Sequence, residues 1–209
     1  MYAKCLKRVL DLLLSLIAIV ILSPVYLVLA ILVRTMLGKP ILFTQERIGK
    51  GERPFKLYKF RSMTDQCDEQ GNLLPDKFRL NRFGKILRST SLDELPELFN
   101  ILKGEMSIIG PRPMPTAYLP YYREDERVIH TVRGGLIPPD VLTLHSVFDW
   151  DEQFQNEIRY AKNVTFLTDV RIIFAVFLIL LKRNKNQYGG QVRKSLTEVR
   201  KEMKEETKV

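Results

Sequence analysis

The hydrophobic pattern opens with a long apolar run near the amino terminus. Residues 12–33 read LLLSLIAIVILSPVYLVLAILV and contain no charged side chain. As a straight helix this run would be about 33 Å long, which is enough to cross a bilayer. It is too long for a secretory signal peptide, and no A-x-A cleavage site follows it. The pattern therefore predicts a membrane helix.

Two features distinguish this run from a simple spanning helix. Ser23-Pro24 lies at its centre, where proline removes a backbone donor and favours a break. Basic residues flank both ends: Lys4, Lys7 and Arg8 before it, and Arg34, Lys39, Arg47, Lys50 and Arg53 after it. The positive-inside rule favours both flanks on the cytoplasmic side. A re-entrant helix satisfies that rule if Ser23 bonds the freed carbonyls; a kinked spanning helix is the alternative.

Shorter patterns follow along the chain. Alternation of apolar and polar residues around a glycine-rich turn predicts a β-hairpin, with strands near 41–46 and 54–60. The basic stretch KFRLNRFGKILR (77–88) has an apolar stripe of Leu80, Phe83 and Leu87. It fits either an amphipathic helix in the headgroup region or a helix packed on the core.

The carboxyl-terminal third contains a second apolar segment. TDVRIIFAVFLILLKR (168–183) has about ten consecutive apolar residues, too few to span a bilayer. It fits a buried helix or a second helix that dips into the membrane. After Lys182 the chain is polar and rich in charge, and a mobile or loosely helical tail is expected.

Composition restricts the partners. The chain has 209 residues and a formal net charge of +9. Such a basic excess indicates an anionic partner: nucleic acid, a phosphorylated metabolite or anionic lipid. Two cysteines and two histidines show no metal-ligand spacing, so neither a zinc site nor a disulfide framework is predicted. Nucleic acid is disfavoured because no RNP, HTH or KH-like motif occurs and the amino terminus is apolar.

The stretch STSLDELPELFN (89–100) places two adjacent carboxylates after a basic segment. Ser91 and Glu94 fit a capping box that would start a helix at Leu92. Asp93 would then favour the positive end of that helix. Pro96, one turn further on, is out of place in a regular helix, so a purely structural explanation is incomplete.

Basic residues around this pair point to phosphate chemistry. Lys59 and Arg88 lie upstream, and Arg112 is held between two prolines in GEMSIIGPRPMP. Arginine in a stiff loop suits bidentate phosphate recognition. Carboxylates among such cations make sense if they bind Mg²⁺, which prefers one or two carboxylates plus substrate phosphates. One carboxylate would remain free to attack phosphorus.

Three segments together resemble the bacterial sugar transferase family: QERIGKGERPFKLYKFRSM, LRSTSLDELPELFNILKGEMSIIGPRP and the broken N-terminal helix. The size resembles the small monotopic phosphoglycosyl transferases, the PglC-like members. The resemblance covers nearly residues 1–183 and is strongest over 41–115. It implies transfer of a phosphosugar from a UDP-sugar to polyprenol phosphate, giving polyprenyl-diphosphate-sugar and UMP, as the first membrane step of glycan assembly.

The resemblance also implies roles for individual residues. Asp93 would be the nucleophile that forms a covalent aspartyl-phosphosugar, and Glu94, with Asp93, would bind Mg²⁺. Phosphate contacts are expected from Lys59, Arg88, Arg112 and Arg133. Asp169 matches an acidic family position without an assigned role, and Ser23-Pro24 matches the break of a re-entrant helix.

The expected fold is α+β and helix-rich. A re-entrant membrane helix (1–36) would precede a compact catalytic domain (37–183) with a small β-hairpin and interfacial amphipathic helices, and a charged tail (184–209) would follow. The expected location is the cytoplasmic face of the bacterial inner membrane, with anionic lipids and downstream glycosyltransferases as further partners.

One loop departs from the family pattern. Where relatives read R-P-G-[IL]-T-G-x-A-Q, this chain reads RGGLIPPDV from Arg133, although Arg133, Gly135 and the later Trp150 match. No site is therefore carried over from residues 134–145. The departure also motivates an alternative function: a non-catalytic membrane-bound scaffold of a glycan assembly complex.

Overall fold

The computed structural model describes residues 2–144, 149–182 and 193–206. Helices dominate, together with two small two-stranded sheets, which confirms the predicted helix-rich α+β class. The α-helices are α1 (Lys7–Ile21), α2 (Ser23–Met36), α3 (Asp76–Arg79), α4 (Arg82–Ser89), α5 (Glu97–Lys103), α6 (Trp150–Lys162), α7 (Phe166–Lys182) and α8 (Leu196–Glu206). The strands are β1 (Leu42–Ile48), β2 (Pro54–Phe60), β3 (Met106–Ile109) and β4 (Gly134–Ile137).

The predicted β-hairpin is confirmed. Strands β1 and β2 pair antiparallel along their full length, with Leu42 opposite Phe60 and Ile48 opposite Pro54. Phe55 and Leu57 of β2 alternate onto one buried face, which packs against Leu98 and Ile101 of α5. Lys59 lies on that same face by its spacing, whereas Phe60 is buried on the opposite face in the cluster that contains Leu29 and Val33 of α2.

A second sheet joins β3 and β4 in parallel, and the sequence patterns did not predict it. Each strand has only four residues, too few for a readable alternation. Gly135 is essential to the contact, because a β-carbon there would lie 2.0 Å from the backbone nitrogen of Gly110. This close approach gives a packing reason for a glycine at position 135.

The N-terminal helices are bent by 64° at Leu22. Within the described residues, no single helix has the length and apolar composition needed to cross a bilayer, whereas Tyr2–Ile21 and Ser23–Met36 reach them jointly. The Ser23 hydroxyl donates to the Val20 carbonyl oxygen at 2.8 Å. That carbonyl is the acceptor that Pro24, lacking an N–H, cannot serve.

Polar contacts join α1 and α2 to the body. Asp11 on α1 accepts from the Ser107 hydroxyl at 2.8 Å and from the Ile108 N–H at 3.0 Å. Arg8 donates to the carbonyls of Ile101 and Leu102, the last turn of α5. The Tyr26 hydroxyl on α2 donates to the Leu95 carbonyl at 2.6 Å. The opposite faces of both helices are exposed and apolar.

The basic stretch 77–88 forms two short helices, α3 and α4, instead of one. The first ends at Arg79, and Asn81 caps the second, because its side-chain oxygen accepts from the Gly84 N–H at 2.9 Å. Leu87 is buried and Phe83 packs beside it, which favours the core-facing interpretation for this stripe. Phe78 and Ile86 nevertheless remain exposed.

The predicted capping box at Ser91 is wrong. Ser91 has a left-handed backbone (φ 56°) and its side chain makes no capping hydrogen bond, whereas a helix cap needs an extended residue. A single 3₁₀ turn covers Leu92–Glu94 instead. The α-helix begins only at Glu97, so Pro96 stands just before the helix, where proline is tolerated.

The last three helices complete the body. Phe154 of α6 is fully buried among Ile48, Tyr122 and Leu196. Helix α7 buries Ile172 and Ala175, and its exposed apolar side chains are Phe166, Leu167, Val170, Ile173, Phe174, Phe177 and Leu181. Beyond α7, residues 183–192 lie outside the described residues, and α8 packs on the body through Leu196 and Arg200.

Candidate functional site

A polar cleft lies between the hairpin, the acidic turn and the loop after β3. Its polar lining comes from two carboxylates and three cations: Glu94, Glu97, Arg47, Lys59 and Arg112. Leu57, Pro113, Gly135, Leu136 and Pro138 complete the wall. The structure therefore brings together Lys59, Glu94 and Arg112, which the sequence analysis singled out.

Lys59 is the centre of the charge arrangement. Its ammonium nitrogen lies 2.7 Å from Glu94 Oε1 and 3.2 Å from Glu97 Oε1. The Lys59 and Glu94 side chains keep about a quarter of their surface exposed, so solvent and ligands can reach this pair. One cation thus offsets two carboxylates, and an incoming phosphate could compete with them for it.

Asp93 precedes Glu94 in the same 3₁₀ turn, and only 8% of its surface is exposed. Burial, with repulsion from Glu94, raises the pKa of the Asp93 carboxyl, whereas Lys59 and Arg88 act in the opposite direction. The loss of hydration makes this carboxylate more reactive towards an electrophile than a carboxylate in water, and the two cations favour its ionised form.

Glu97 is a site residue that the sequence analysis missed. It occupies the first position of α5, and burial raises its pKa to about 7 despite the nearby Lys59. Its sequence signal was weak, because a glutamate in the first turn of a helix usually only favours the helix dipole. Asp93, Glu94 and Glu97 thus place three carboxylates within five residues, and Glu94 and Glu97 are the two that line the cleft.

Arg47 was assigned only to the basic flank of the apolar run. At the end of β1 it donates to the Pro113 carbonyl at 3.1 Å and to the Gln45 side chain. Among the described residues, its buried Nε atom has no hydrogen-bond partner. Alternation along β1 could show which face Arg47 occupies, but not that the Pro113 loop folds onto that face.

The loop around Arg112 is fixed on several sides. The Ile48 N–H donates to the Met114 carbonyl, and the Gly135 N–H donates to the Pro111 carbonyl. The Arg112 N–H donates to Glu157 of α6 at 3.1 Å. Its side chain is left exposed at the cleft, as expected for a guanidinium in a rigid loop that meets a phosphate.

Arg88 lies at the end of α4, on the other side of the acidic turn. Its Nε donates to the Ser62 hydroxyl at 2.9 Å, and its charge acts on Asp93. Arg88 is exposed, so the remaining guanidinium donors face solvent near the dyad.

Arg133 is not brought to this cleft. Its Nε donates to the Gly104 carbonyl at 2.7 Å, and it lines a separate pocket with Lys7, Arg8 and Lys50. The phosphate contact expected of Arg133 stays a prediction. In this arrangement the Arg133 side chain supports the end of α5.

Asp169 and the Ser23-Pro24 break also lie away from the cleft. Asp169 is buried at the start of α7, where it accepts from Tyr2, Lys7 and Tyr160. Those bonds tie the amino terminus to α7. These hydrogen bonds indicate a structural role for Asp169, which its sequence context did not reveal.

The carboxylates of Asp93 and Glu94 fit a magnesium ion whose remaining ligands come from the phosphates of a substrate. In the described part of the chain, no cluster of three or more His, Cys, Asp or Glu side chains is arranged as a metal site. Magnesium needs only one or two carboxylates when phosphates supply further oxygens. Asp93 and Glu94 are adjacent, and burial first and repulsion from Glu94 second raise the pKa of Asp93; a bound cation would relieve that repulsion.

Comparison with known proteins shows the family of the chain. The model of the bacterial sugar transferase family matches residues 2–183. The uncharacterized sugar transferase EpsL of Bacillus subtilis is 39% identical over 168 residues, covering 80% of this chain and 83% of EpsL.

Two longer relatives carry names that state a reaction. The UDP-N-acetylgalactosamine-undecaprenyl-phosphate N-acetylgalactosaminephosphotransferase of Aeromonas hydrophila is 35% identical, covering 84% of this chain and 44% of that protein. The UDP-glucose:undecaprenyl-phosphate glucose-1-phosphate transferase of Klebsiella pneumoniae is 33% identical, covering 80% and 38%. The chain thus spans less than half the length of either protein.

Proposed function

Because the chain belongs to the bacterial sugar transferase family, we propose that it transfers a phosphosugar from a UDP-sugar to polyprenol phosphate. The products are polyprenyl-diphosphate-sugar and UMP. The observation that carries the proposal is the cleft that Lys59 and Arg112 line together with Glu94, the residue next to Asp93 in the acidic turn. The names of the relatives from Aeromonas and Klebsiella support the same reaction.

The chemistry proceeds in two displacements at Asp93. A carboxylate oxygen attacks the β-phosphorus of the UDP-sugar, the bond to the bridging oxygen breaks, and UMP leaves with that electron pair. In the second step an oxygen of polyprenol phosphate attacks the same phosphorus and expels the Asp93 carboxylate. The covalent aspartyl-phosphosugar divides one difficult transfer between two anions into two steps.

The cations stabilise charge on the phosphates in both steps. Lys59 is held between Glu94 and Glu97, so its ammonium is already oriented before substrate arrives. Arg112 offers a planar guanidinium from a loop bounded by prolines, and Arg88 approaches Asp93 from α4. Such preorganised charges are worth most where water is excluded.

Glu94, with Asp93, would hold Mg²⁺. The ion would neutralise the diphosphate when bound, and phosphate oxygens would complete its coordination. Before substrate binds, the Lys59 ammonium forms the ion pair with the Glu94 carboxylate. Glu94 would therefore exchange its partner Lys59 for Mg²⁺ if the metal binds with the donor.

The bent helix pair would place this chemistry at the cytoplasmic face of the bacterial inner membrane. The apolar outer faces of α1 and α2 favour lipid over water, and a re-entrant path keeps both basic flanks on one side. The exposed apolar face of α7 and the basic surface around Phe78 and Ile86 would contact anionic lipid at the same level. A lipid-bound acceptor and a soluble donor could then reach one carboxylate in turn.

A donor-only reaction tests the proposal. Purified protein is incubated with Mg²⁺ and a panel of UDP-sugars without polyprenol phosphate, and intact mass is measured. One donor should add a sugar-phosphate at Asp93 and release one equivalent of UMP. Adding polyprenol phosphate should then remove the adduct. The Asp93→Asn variant should form no adduct, and UMP release that survives this substitution contradicts the assignment.

The same experiment distinguishes the enzyme from the scaffold alternative. A scaffold would bind membranes and release no UMP with any donor. Downstream glycosyltransferases would then be its partners instead of users of its product.

A further inference from the structure

The chain beyond the family match reaches the back of the cleft. The matched region ends at residue 183, and Arg193 lies ten residues later. Its Nη1 donates to the Gln153 side-chain oxygen at 2.7 Å. Its guanidinium also stacks 3.5 Å from the centre of the Trp150 ring, a strong cation–π geometry.

Two further hydrogen bonds continue from Gln153 to the site. The Gln153 amide donates to Glu157 Oε1 at 2.9 Å, and the Arg112 N–H donates to the same oxygen at 3.1 Å. Gln153 and Glu157 are one turn apart on α6, and both are buried. A continuous chain of side chains thus connects Arg193 to the backbone of Arg112.

This network is not optimised for stability alone. Within the described residues, Glu157 Oε2 and the Nε and Nη2 atoms of Arg193 are buried without hydrogen-bond partners. Such groups cost stability, and a partly satisfied buried network is less favourable than an apolar one. Its presence behind a substrate-facing arginine therefore indicates a role in holding that arginine.

Helix α8 and the residues just before it fix the position of Arg193, the first residue of this series of contacts. The Trp150 indole N–H donates to the Lys194 carbonyl at 3.0 Å, and Leu196 is fully buried in the core around Phe154. Arg200 forms a buried ion pair with Glu126. The backbone next to Arg193 is thus fixed on the body.

We propose that Arg193 is a positioning residue that acts through Gln153 and Glu157 to fix Arg112 for the donor diphosphate. The segment 193–206 is then part of the active-site support, although it lies outside the family match. The inference rests on the proposed function in one respect, since it takes Arg112 as a phosphate contact. A site held by such supporting bonds binds in one geometry without reorganisation.

The first test measures the supporting bond itself and needs no activity. Pro111 and Pro113 have no N–H, so residue 112 contributes the only exchangeable backbone amide of that tripeptide. Selective ¹⁵N-arginine labelling would allow exchange of this amide to be followed by NMR. The Arg193→Ala variant should exchange it about tenfold faster, as expected when a charge-assisted hydrogen bond is weakened. Unchanged exchange overturns the proposal.

Two further variants separate positioning from general damage. Lys194→Ala alters the neighbouring residue, whose side chain pairs with Glu202 on the surface, and should leave the Arg112 amide unchanged. Gln153→Met keeps the volume of the side chain but removes both of its hydrogen bonds. It should reproduce the faster exchange while α8 stays docked; if it does not, the bonds are not a path to Arg112.

The second test uses turnover. Arg193→Ala should raise the KM for the UDP-sugar about tenfold and change kcat less than threefold, with partial recovery in Arg193→Lys. In an Arg112→Ala background the same substitution should have almost no further effect. Fully additive effects of the two substitutions refute action through Arg112. If wild type turns over no UDP-sugar, the proposed function fails, and the amide measurement still decides the positioning role.

Discussion

The Ser23 hydroxyl donates a 2.8 Å hydrogen bond to the carbonyl oxygen of Val20. In an uninterrupted helix that carbonyl would accept from residue 24, but Pro24 has no N–H to give. The Ser23 hydroxyl therefore adds to the backbone N–H at the end of α1 that also donates to the Val20 carbonyl. This arrangement can persist in lipid, where an unsatisfied carbonyl is costly.

The bend predicts the topology of the amino terminus. In a re-entrant path Cys5 stays cytoplasmic, so an impermeant thiol reagent should label it only after cells are permeabilised. A Cys67→Ser background isolates the signal. The double substitution Ser23→Ala with Pro24→Ala should straighten the helix and make Cys5 accessible from outside. Labelling of Cys5 in intact cells with the Ser23-Pro24 sequence in place would establish a spanning helix.

Lys59 should matter far more than a lysine on the same strand. Lys59→Met leaves Glu94 and Glu97 without their cation and removes a phosphate contact, so kcat/KM should fall about 10²–10³-fold. Lys56 is exposed, and its odd spacing from Lys59 puts it on the other face of β2. Lys56→Met should therefore stay within about twofold of wild type. Equal losses in the two variants would mean that Lys59 acts only through bulk charge.

Glu94 should determine the metal requirement. Chelation with EDTA should abolish UMP release, and Mg²⁺ should restore it. Glu94→Gln should raise the Mg²⁺ concentration needed for half-maximal rate by about tenfold or more, because a neutral amide is a weaker ligand for a hard cation. Glu105→Gln provides a carboxylate control outside the cleft. A Glu94→Gln enzyme with an unchanged Mg²⁺ dependence would exclude Glu94 as a ligand.

Asp169 should act on stability and not on donor binding. Its carboxylate pairs with Lys7 at 2.7 Å and accepts from the Tyr160 hydroxyl at 2.7 Å, far along the chain from the acidic turn. Asp169→Asn should lower the unfolding temperature in detergent by roughly 5 °C, since a buried charge pair is lost. The KM for the UDP-sugar should not change, and Asp125→Asn on the surface should have neither effect. Loss of turnover at unchanged unfolding temperature would point to a substrate contact instead.

Glu157 should make stability depend on pH. Burial raises the pKa of this carboxyl from its ordinary 4.5 to about 7. Below pH 4.5 it is protonated in both folded and unfolded protein, so it imposes no penalty. As pH rises to about 7, the unfolded state ionises more readily and the folded state loses stability, on the order of 3 kcal/mol at most.

Glu157→Gln should remove that loss. Chemical denaturation between pH 5 and pH 8 should give a flatter curve for this variant than for wild type, and a relative gain at pH 8. Glu69→Gln, in an exposed loop, should follow wild type throughout. Parallel curves for Glu157→Gln and wild type would show that the carboxyl is already well compensated.

The sequence was most informative where a pattern is local. The period-2 alternation of 54–60 predicts β2 correctly, because Phe55 and Leu57 bury one face of that strand while the neighbouring Pro54 and Lys56 are exposed. It was least informative where backbone conformation overrides composition. A left-handed Ser91 cannot serve as a cap, and Asn81 divides the basic stretch into two helices.

Long-range contacts explain what the sequence could not reveal at the site. Glu97 and Arg47 are 50 residues apart and meet only because the hairpin packs beside the acidic turn. Arg133 matches a family position yet supports the end of α5, a contact set by the three-dimensional path of β4. Motifs predicted the candidate reacting groups Asp93 and Glu94, whereas the residues that contact and support them could be found only from the fold.

Tyr26 of α2 donates to the Leu95 carbonyl, and Arg8 of α1 donates to carbonyls in the last turn of α5. Both N-terminal helices therefore contact residues 95–102, which directly follow Asp93 and Glu94. In the proposed re-entrant topology, a change in how deeply those helices sit in lipid would shift the turn that carries Asp93. The bilayer would then be a reference plane for the proposed reaction, and hydrocarbon thickness would set how well Asp93 lines up with the headgroup of the acceptor.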